Sequence, residues 1–149
     1  MPQTKYIRWV PTPSWIKRID KIHVPLYRFS RGLLGRRVDG LDILLLTTTG
    51  KKTGRARPVP LPFFRDGARY VLIGSFGGNP TNPAWVGNLR ATPRVDVQVG
   101  ARKFPAHAQI TQGAERERIW NQVTDEFPRY LVYQEKTARQ IPVVVIEPS

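Results

Sequence analysis

Ile43-Leu44-Leu45-Leu46-Thr47-Thr48, followed at once by Thr49-Gly50-Lys51-Lys52-Thr53-Gly54, decides how this chain is read. The first six residues are a short apolar run rich in strand formers and read as a buried β-strand. The next six are bounded by glycines and carry two lysines, which makes them a basic turn. Val59 to Phe64 reads as a second strand, and Pro58, Pro60 and Pro62 confine it to a sheet edge or an irregular course. Asp66-Gly67 is a hairpin signal, after which Arg69 to Ser75 forms a third strand. Gly77-Gly78 lead into a helix from about Pro83 to Ala91, with Asn82 placed to cap it and Pro83 in its first turn. Arg94 to Val99 alternates as a fourth strand, and Gly100 opens a tight turn into a fifth, Lys103 to Ile110. Ala114 to about Glu126 has helical composition, with Ile119, Trp120, Val123 and Phe127 as its inner face. Tyr130 to Arg139 adds a further helical turn or two, and Ile141 to Glu147 is a sixth strand. This order lacks the βαβ alternation of a parallel sheet. It predicts a mostly β, α+β fold: a small, largely antiparallel barrel of about six strands with helices outside.

Upstream of that run the composition changes. Between Met1 and Arg37, Lys5, Arg8, Lys17, Arg18, Lys21, Arg28, Arg31, Arg36 and Arg37 face only Asp20. Trp15, Ile19, Ile22, Leu26, Phe29 and Leu33 recur at steps of four and three, a helical stripe opened by Ser14 and interrupted by Pro25. Residues 1–40 therefore read as a basic amphipathic helical segment and 41–149 as the barrel, within a single domain 1–149. Such a stripe either packs on the barrel or lies on an anionic membrane.

The whole chain of 149 residues has 24 Lys and Arg against 11 Asp and Glu, a formal charge of +13. That balance attracts polyanions: nucleic acid, anionic lipid or a phosphorylated small molecule. There is no cysteine, which excludes disulfides, thiolate metal sites and cysteine nucleophiles. His23 and His107 read as surface or packing residues, and no metal is expected. No apolar run is long enough to span a membrane and no signal peptide is visible, so an intracellular protein is expected.

The glycine spacing around Lys51 and Lys52 is not that of a P-loop, and Gly74-Ser75-Phe76-Gly77-Gly78 is not a dinucleotide fingerprint. Nothing around Ser75 resembles a nucleophile elbow. What remains is an anion cradle, in which Lys51, Lys52, Arg55 and Arg57 gather around two glycines. A second turn, Ser75 to Gly78, precedes a helix whose positive end faces it. Read together, these are two ends of one elongated anionic ligand; read singly, each is a solvated loop.

Leu44-Leu45-Leu46-Thr47-Thr48-Thr49-Gly50-Lys51-Lys52-Thr53-Gly54-Arg55-Ala56-Arg57, then Pro60-Leu61, closely resembles the opening motif of the deazaflavin-dependent nitroreductase and quinone reductase family. Gly74-Ser75-Phe76-Gly77-Gly78, Asn82-Pro83-Ala84-Trp85 and Asn88-Leu89-Arg90-Ala91 resemble its second block. Arg94 to Gln98 and Ile141 to Val145 resemble its later strands. The resemblance implies a split β-barrel that binds the 8-hydroxy-5-deazaflavin coenzyme F-420 in its reduced form. It implies that Lys51, Lys52, Arg55 and Arg57 hold the anionic tail of the coenzyme and that Pro60 and Leu61 border its ring. Ser75, Phe76, Gly77 and Gly78 would line the ring and phosphate region, with Trp85 and Asn88 behind them or in the core. It further implies hydride transfer to a quinone-like or nitro-type acceptor, with a proton from Tyr130, Tyr133, Ser75 or solvent. In family members with nitroreductase activity the position of Phe127 can also be a tyrosine, and its absence here weakens the expectation for bulky nitro compounds. Three other readings remain: a barrel binding flavin mononucleotide, a basic nucleic-acid-binding barrel without catalysis, and a coenzyme carrier without turnover. The expected location is cytoplasmic, with peripheral contact at the inner face of the membrane as its extension.

Overall fold

The computed structural model describes residues 24–28, 30, 37, 38 and 40–149. Its first elements are a helical turn at residues 24–28 (α1) and the two-residue strand β1 (Arg37–Val38). The apolar run becomes the nine-residue β2 (Leu41–Thr49). Leu44 and Leu46 enter the barrel core, whereas Ile43 and Leu45 pack with Tyr27 of α1 on the opposite face. A strand covered on both faces has no polar side to display, which is why its sequence does not alternate.

Then follow β3 (Ala56–Pro62), β4 (Phe64–Asp66), β5 (Arg69–Ile73), α2 (Ala84–Ala91), β6 (Arg94–Val99) and β7 (Arg102–Ile110). Helices α3 (Gly113–Glu126) and α4 (Arg129–Glu135) lead to β8 (Val143–Pro148). The strands form one antiparallel sheet in the order β1-β2-β6-β7-β8-β5-β4, with β3 paired to β2. The sheet has eight strands rather than about six, because β1 and β4 span only two and three residues and leave no periodic signal. Its interior is filled by Leu44, Leu46, Tyr70, Leu72, Val95, Val97, Val144 and Ile146, closed at one end by Trp85, Val86 and Leu89 of α2. On the outer face, Val71, Ile73, Val143 and Val145 meet Ile119, Trp120 and Val123 of α3 and Tyr130 of α4.

The edge position expected for β3 is what the sheet shows, and its register explains the three prolines. At one end Phe63 N–H donates to Asp42 O at 3.0 Å, and at the other Gly50 N–H donates to Arg55 O at 2.8 Å. Backbone groups alternate in direction along a strand, so odd-numbered residues of β3 face β2 and residues 58, 60 and 62 face away. Each proline therefore sits where its missing N–H costs no ladder bond.

Several local expectations are corrected. Asn82 does not cap α2: Pro83 is the N-cap, and Asn82 Oδ1 instead accepts from Arg139 Nη1 at 2.8 Å. The third strand ends at Ile73 rather than Ser75, because the Gly74 and Ser75 carbonyls are taken by Arg139. The helix after Tyr130 stops at Glu135, and the last strand starts at Val143, just past Pro142. Of the N-terminal stripe, Trp15, Ile19, Ile22, Phe29 and Leu33 lie outside the described residues. Within α1 it is Tyr27 that is buried, while Leu26 is 46% exposed. Tyr27 wins the inward position because its hydroxyl donates to Ile43 O at 2.9 Å and accepts from Gly100 N–H at 2.9 Å.

Candidate active site

The basic turn is built by its glycines. Gly50 and Arg55 close it across the β2–β3 connection, and Gly54 N–H donates back to Gly50 O at 2.8 Å with a φ of 69°. A Cβ at Gly50 would lie 2.8 Å from Thr53 Oγ1, so the close approach requires glycine. The turn is tied to α2 by Asn88, whose Oδ1 accepts from Lys51 N–H at 3.1 Å and whose Nδ2 donates to Thr48 Oγ1 at 3.0 Å. Asn88 and Thr48 are both buried, so this bridge fixes where the lysines emerge. Gly87 leaves room for the Lys51 side chain, whose Nζ would lie 3.4 Å from a Cβ there.

Beside this turn lies a cavity of about 980 Å³ along the unpaired edge of β3. Lys51, Lys52 and Arg57 stand at one end, Pro58 to Pro62 form one wall, and Ser75, Phe76 and Gly77 form another. Trp85, Gly87 and Asn88 of α2 contribute a third side, and Arg129, Tyr130 and Tyr133 of α4 stand at the tyrosine end. Of the expected site residues, Lys51, Lys52, Arg57, Pro60, Leu61, Ser75, Phe76, Gly77, Tyr130 and Tyr133 thus share one space.

Arg55 and Gly78 do not line it. Arg55 precedes β3, and its backbone closes the turn, with its N–H donating to Thr53 Oγ1 at 3.2 Å. Gly78 is buried behind the wall against α4, where an added Cβ would lie 2.8 Å from Tyr133 O. Phe127 also lies off the cavity, its ring 5.2 Å from that of Phe64. Trp85 belongs to the barrel core, as expected, while touching the cavity with one side.

The electrostatics are uneven. Among the described residues the ion pairs involve Arg37, Arg69, Arg116 and Arg118, and none involves Lys51, Lys52 or Arg57. Arg57 Nη2 donates only to Thr53 Oγ1, at 3.2 Å. Three cations without carboxylates around the mouth of a largely apolar cavity suit an anionic group on a flat apolar body. At the other end, burial pushes the Tyr130 phenol well above the usual tyrosine range, so it stays protonated at neutral pH. Its ring packs edge-on against Phe64 at 5.7 Å and Tyr133 at 5.7 Å.

The wall at Ser75 to Gly77 is strained. Phe76 has a φ of 47°, the only described non-glycine residue at positive φ, and Gly77 and Gly78 follow at 63° and 82°. A left-handed phenylalanine costs on the order of 1–3 kcal/mol and persists only where its surroundings hold it. Thr48, Asn82, Arg90 and Arg129 also line the cavity. The first three lie in the motifs that resemble the family and Arg129 stands beside Tyr130, but none of them was given a binding role from the sequence.

The sequence pattern of the F420H(2)-dependent quinone reductase family matches residues 19–148. An F420H(2)-dependent quinone reductase of Mycobacterium tuberculosis is 37% identical over 143 residues, 93% of this chain and 95% of the relative. Among solved structures, an F420-H2 dependent reductase is 42% identical, with a TM-score of 0.64, over 70% of this chain and 93% of its own. Another, described as a domain-swapped dimer, is 35% identical, with a TM-score of 0.68, over 91% of this chain and 100% of its own.

Proposed function

Because this chain belongs to the F420H(2)-dependent quinone reductase family, we propose that its cavity takes reduced coenzyme F-420 and a quinone together and that the protein is a quinone reductase. The observation that carries this reading is the polarity of the cavity, with unpaired Lys51, Lys52 and Arg57 at one end and the tyrosines of α4 at the other. A coenzyme with a flat ring and an anionic phosphodiester and glutamate tail fits that order. When bound, the reduced deazaflavin supplies a hydride for the acceptor.

The residues of this chain do the rest. Lys51, Lys52 and Arg57 hold the anionic tail, and the Pro58–Pro62 strip and the Ser75–Gly77 wall confine the ring. Trp85 and the strip exclude water. Tyr130, kept neutral by burial, is a poor acid. The proton therefore falls to Tyr133, Ser75 or solvent. Arg129 stabilises negative charge as it develops on the acceptor.

The test is a titration with reduced coenzyme F-420, followed by menadione while the deazaflavin chromophore is watched. Tight binding and fast reoxidation support the reading; absence of binding overturns it. Lys51→Ala and Arg57→Ala each weaken binding about tenfold, as expected for a lost charge-assisted hydrogen bond.

The acceptor is drawn from a membrane at its inner face, in this reading. Leu131 of α4, 44% exposed, stands next to Tyr130 at the cavity, and the basic N-terminal segment adds charge for anionic lipid. No helix among the described residues is long and apolar enough to cross a membrane. Failure of anionic liposomes to retain the protein at low salt removes this part of the proposal.

A further inference from the structure

Arg139 lies between α4 and β8, does not line the cavity, and makes four hydrogen bonds to the loop that does. Its Nε donates to Asn79 O at 2.9 Å, and Nη2 donates to Ser75 O at 2.7 Å. Nη1 donates to Gly74 O at 3.1 Å and to Asn82 Oδ1 at 2.8 Å. Four of the five guanidinium N–H groups are thus committed to residues 74–82.

The loop needs holding. It carries Phe76 in the left-handed region, and the Phe76 carbonyl is held separately by Asn79 Nδ2 at 2.6 Å. Peptide planarity gives the clamp a consequence on the far side. With the Gly74 and Ser75 carbonyls turned to Arg139, the N–H groups of Ser75 and Phe76 point the opposite way. Both residues line the cavity, and neither N–H donates to an acceptor among the described residues.

Arg139 is itself anchored. Gln134 of α4 donates through Nε2 to Arg139 O at 2.7 Å and accepts from Ile141 N–H at 3.0 Å. Gly74 N–H donates to Pro142 O at 2.9 Å, and Gly78 packs directly on Tyr133. Loop and tyrosine helix are therefore braced into one body through a single side chain and its immediate neighbours.

We propose that Arg139 is a positioning residue, which holds the Ser75–Gly77 wall in register with Tyr130 and Tyr133 so that the cavity is pre-organised for its ligands. The identity of those ligands rests on the function proposed above. Lysine cannot replace it, since an ammonium offers a point of charge where this loop is gripped by a planar fork.

The experiment compares Arg139→Lys with Arg118→Lys in the full chain. Arg118 is the control for a lost guanidinium fork: it donates to Asp66 Oδ1 at 2.9 Å and Oδ2 at 3.1 Å, and touches neither the loop, its anchors nor the cavity. Two readouts are taken, amide hydrogen exchange of residues 74–79 without ligand, and affinity for reduced coenzyme F-420. Arg139→Lys is expected to speed exchange in the loop and to weaken coenzyme binding tenfold or more, the scale of a misplaced binding group. Arg118→Lys is expected to leave both readouts unchanged. Unchanged exchange in Arg139→Lys, unchanged affinity, or an equal effect of Arg118→Lys overturns the proposal. A wild-type protein that binds no coenzyme overturns the cofactor reading instead, and the exchange arm still decides whether Arg139 holds the loop.

Discussion

Gly78 combines a φ of 82° with a site at which an added Cβ meets Tyr133 O at 2.8 Å and Lys136 Cβ at 2.9 Å. Neither the backbone nor the helix beside it can accommodate a methyl group without moving. Gly78→Ala should lose about 2–3 kcal/mol in urea unfolding, from strain and overpacking together. It should also shift the near-ultraviolet signal of the tyrosines on α4. Asp66 is a second residue with a defined cost. Arg118 first, and then Arg69, hold its carboxyl well below the usual carboxylate range. A depressed folded-state pKa contributes stability above the unfolded value of about 4, and that contribution is lost as pH falls further. Asp66→Asn should therefore melt lower than wild type at pH 7, with the gap narrowing in acid below about pH 4. Equal gaps at pH 7 and pH 3 contradict this assignment. Tyr130 works with the opposite sign, since burial raises its pKa. The folded state resists its ionisation, so stability should fall above about pH 10, and less steeply in Tyr130→Phe.

At the scale of elements, β3 is held from one side only, and its free edge carries Pro58, Pro60 and Pro62 where N–H groups would otherwise invite another strand. Replacing all three by alanine restores three edge donors facing the cavity. The variant should associate at concentrations where wild type is unchanged, as seen by light scattering or sedimentation. Unaltered association would mean that the prolines serve only to shape the cavity wall. The element boundaries show how local chemistry and tertiary demand divide the work. The glycine turn after β2, the hairpin at Asp66-Gly67 and the edge character of β3 are legible in the sequence, since each depends on the backbone chemistry of the residues in place. Asn82 was legible as a cap, and the structure uses its Oδ1 for Arg139 instead. An amide side chain satisfies whichever donor tertiary packing brings to it.

For the molecule as a whole, the excess of 24 basic over 11 acidic side chains matters less than where the acidic ones are spent. Asp66 and Glu115 are engaged with Arg69 and Arg118 around the β4–β5 hairpin and α3, while none of the ion pairs of the described residues takes up Lys51, Lys52 or Arg57. The unbalanced charge is thus concentrated where an anionic tail would enter. Affinity for reduced coenzyme F-420 should fall steeply between about 50 mM and 500 mM salt, as screening shortens the reach of those charges. A salt-independent affinity would show that apolar contact with the ring dominates.

By itself the sequence determined the long strands, the glycine turns, the antiparallel barrel and ten of the residues that share the cavity, Lys51 and Tyr133 among them. The strands and turns follow from properties local to each stretch: apolar runs, glycines, missing N–H groups; Pro60, Leu61, Tyr130 and Tyr133 came from the resemblance to the reductase family. Only the tertiary structure decided that Arg57 faces the cavity while Arg55 closes a turn, and that Gly78 seats α4 rather than touching a ligand. The same is true of Arg139, which grips partners 57 to 65 residues away. No spacing rule reaches that far, because the direction of a side chain across such a separation is set by how the sheet curls and where the helices pack upon it.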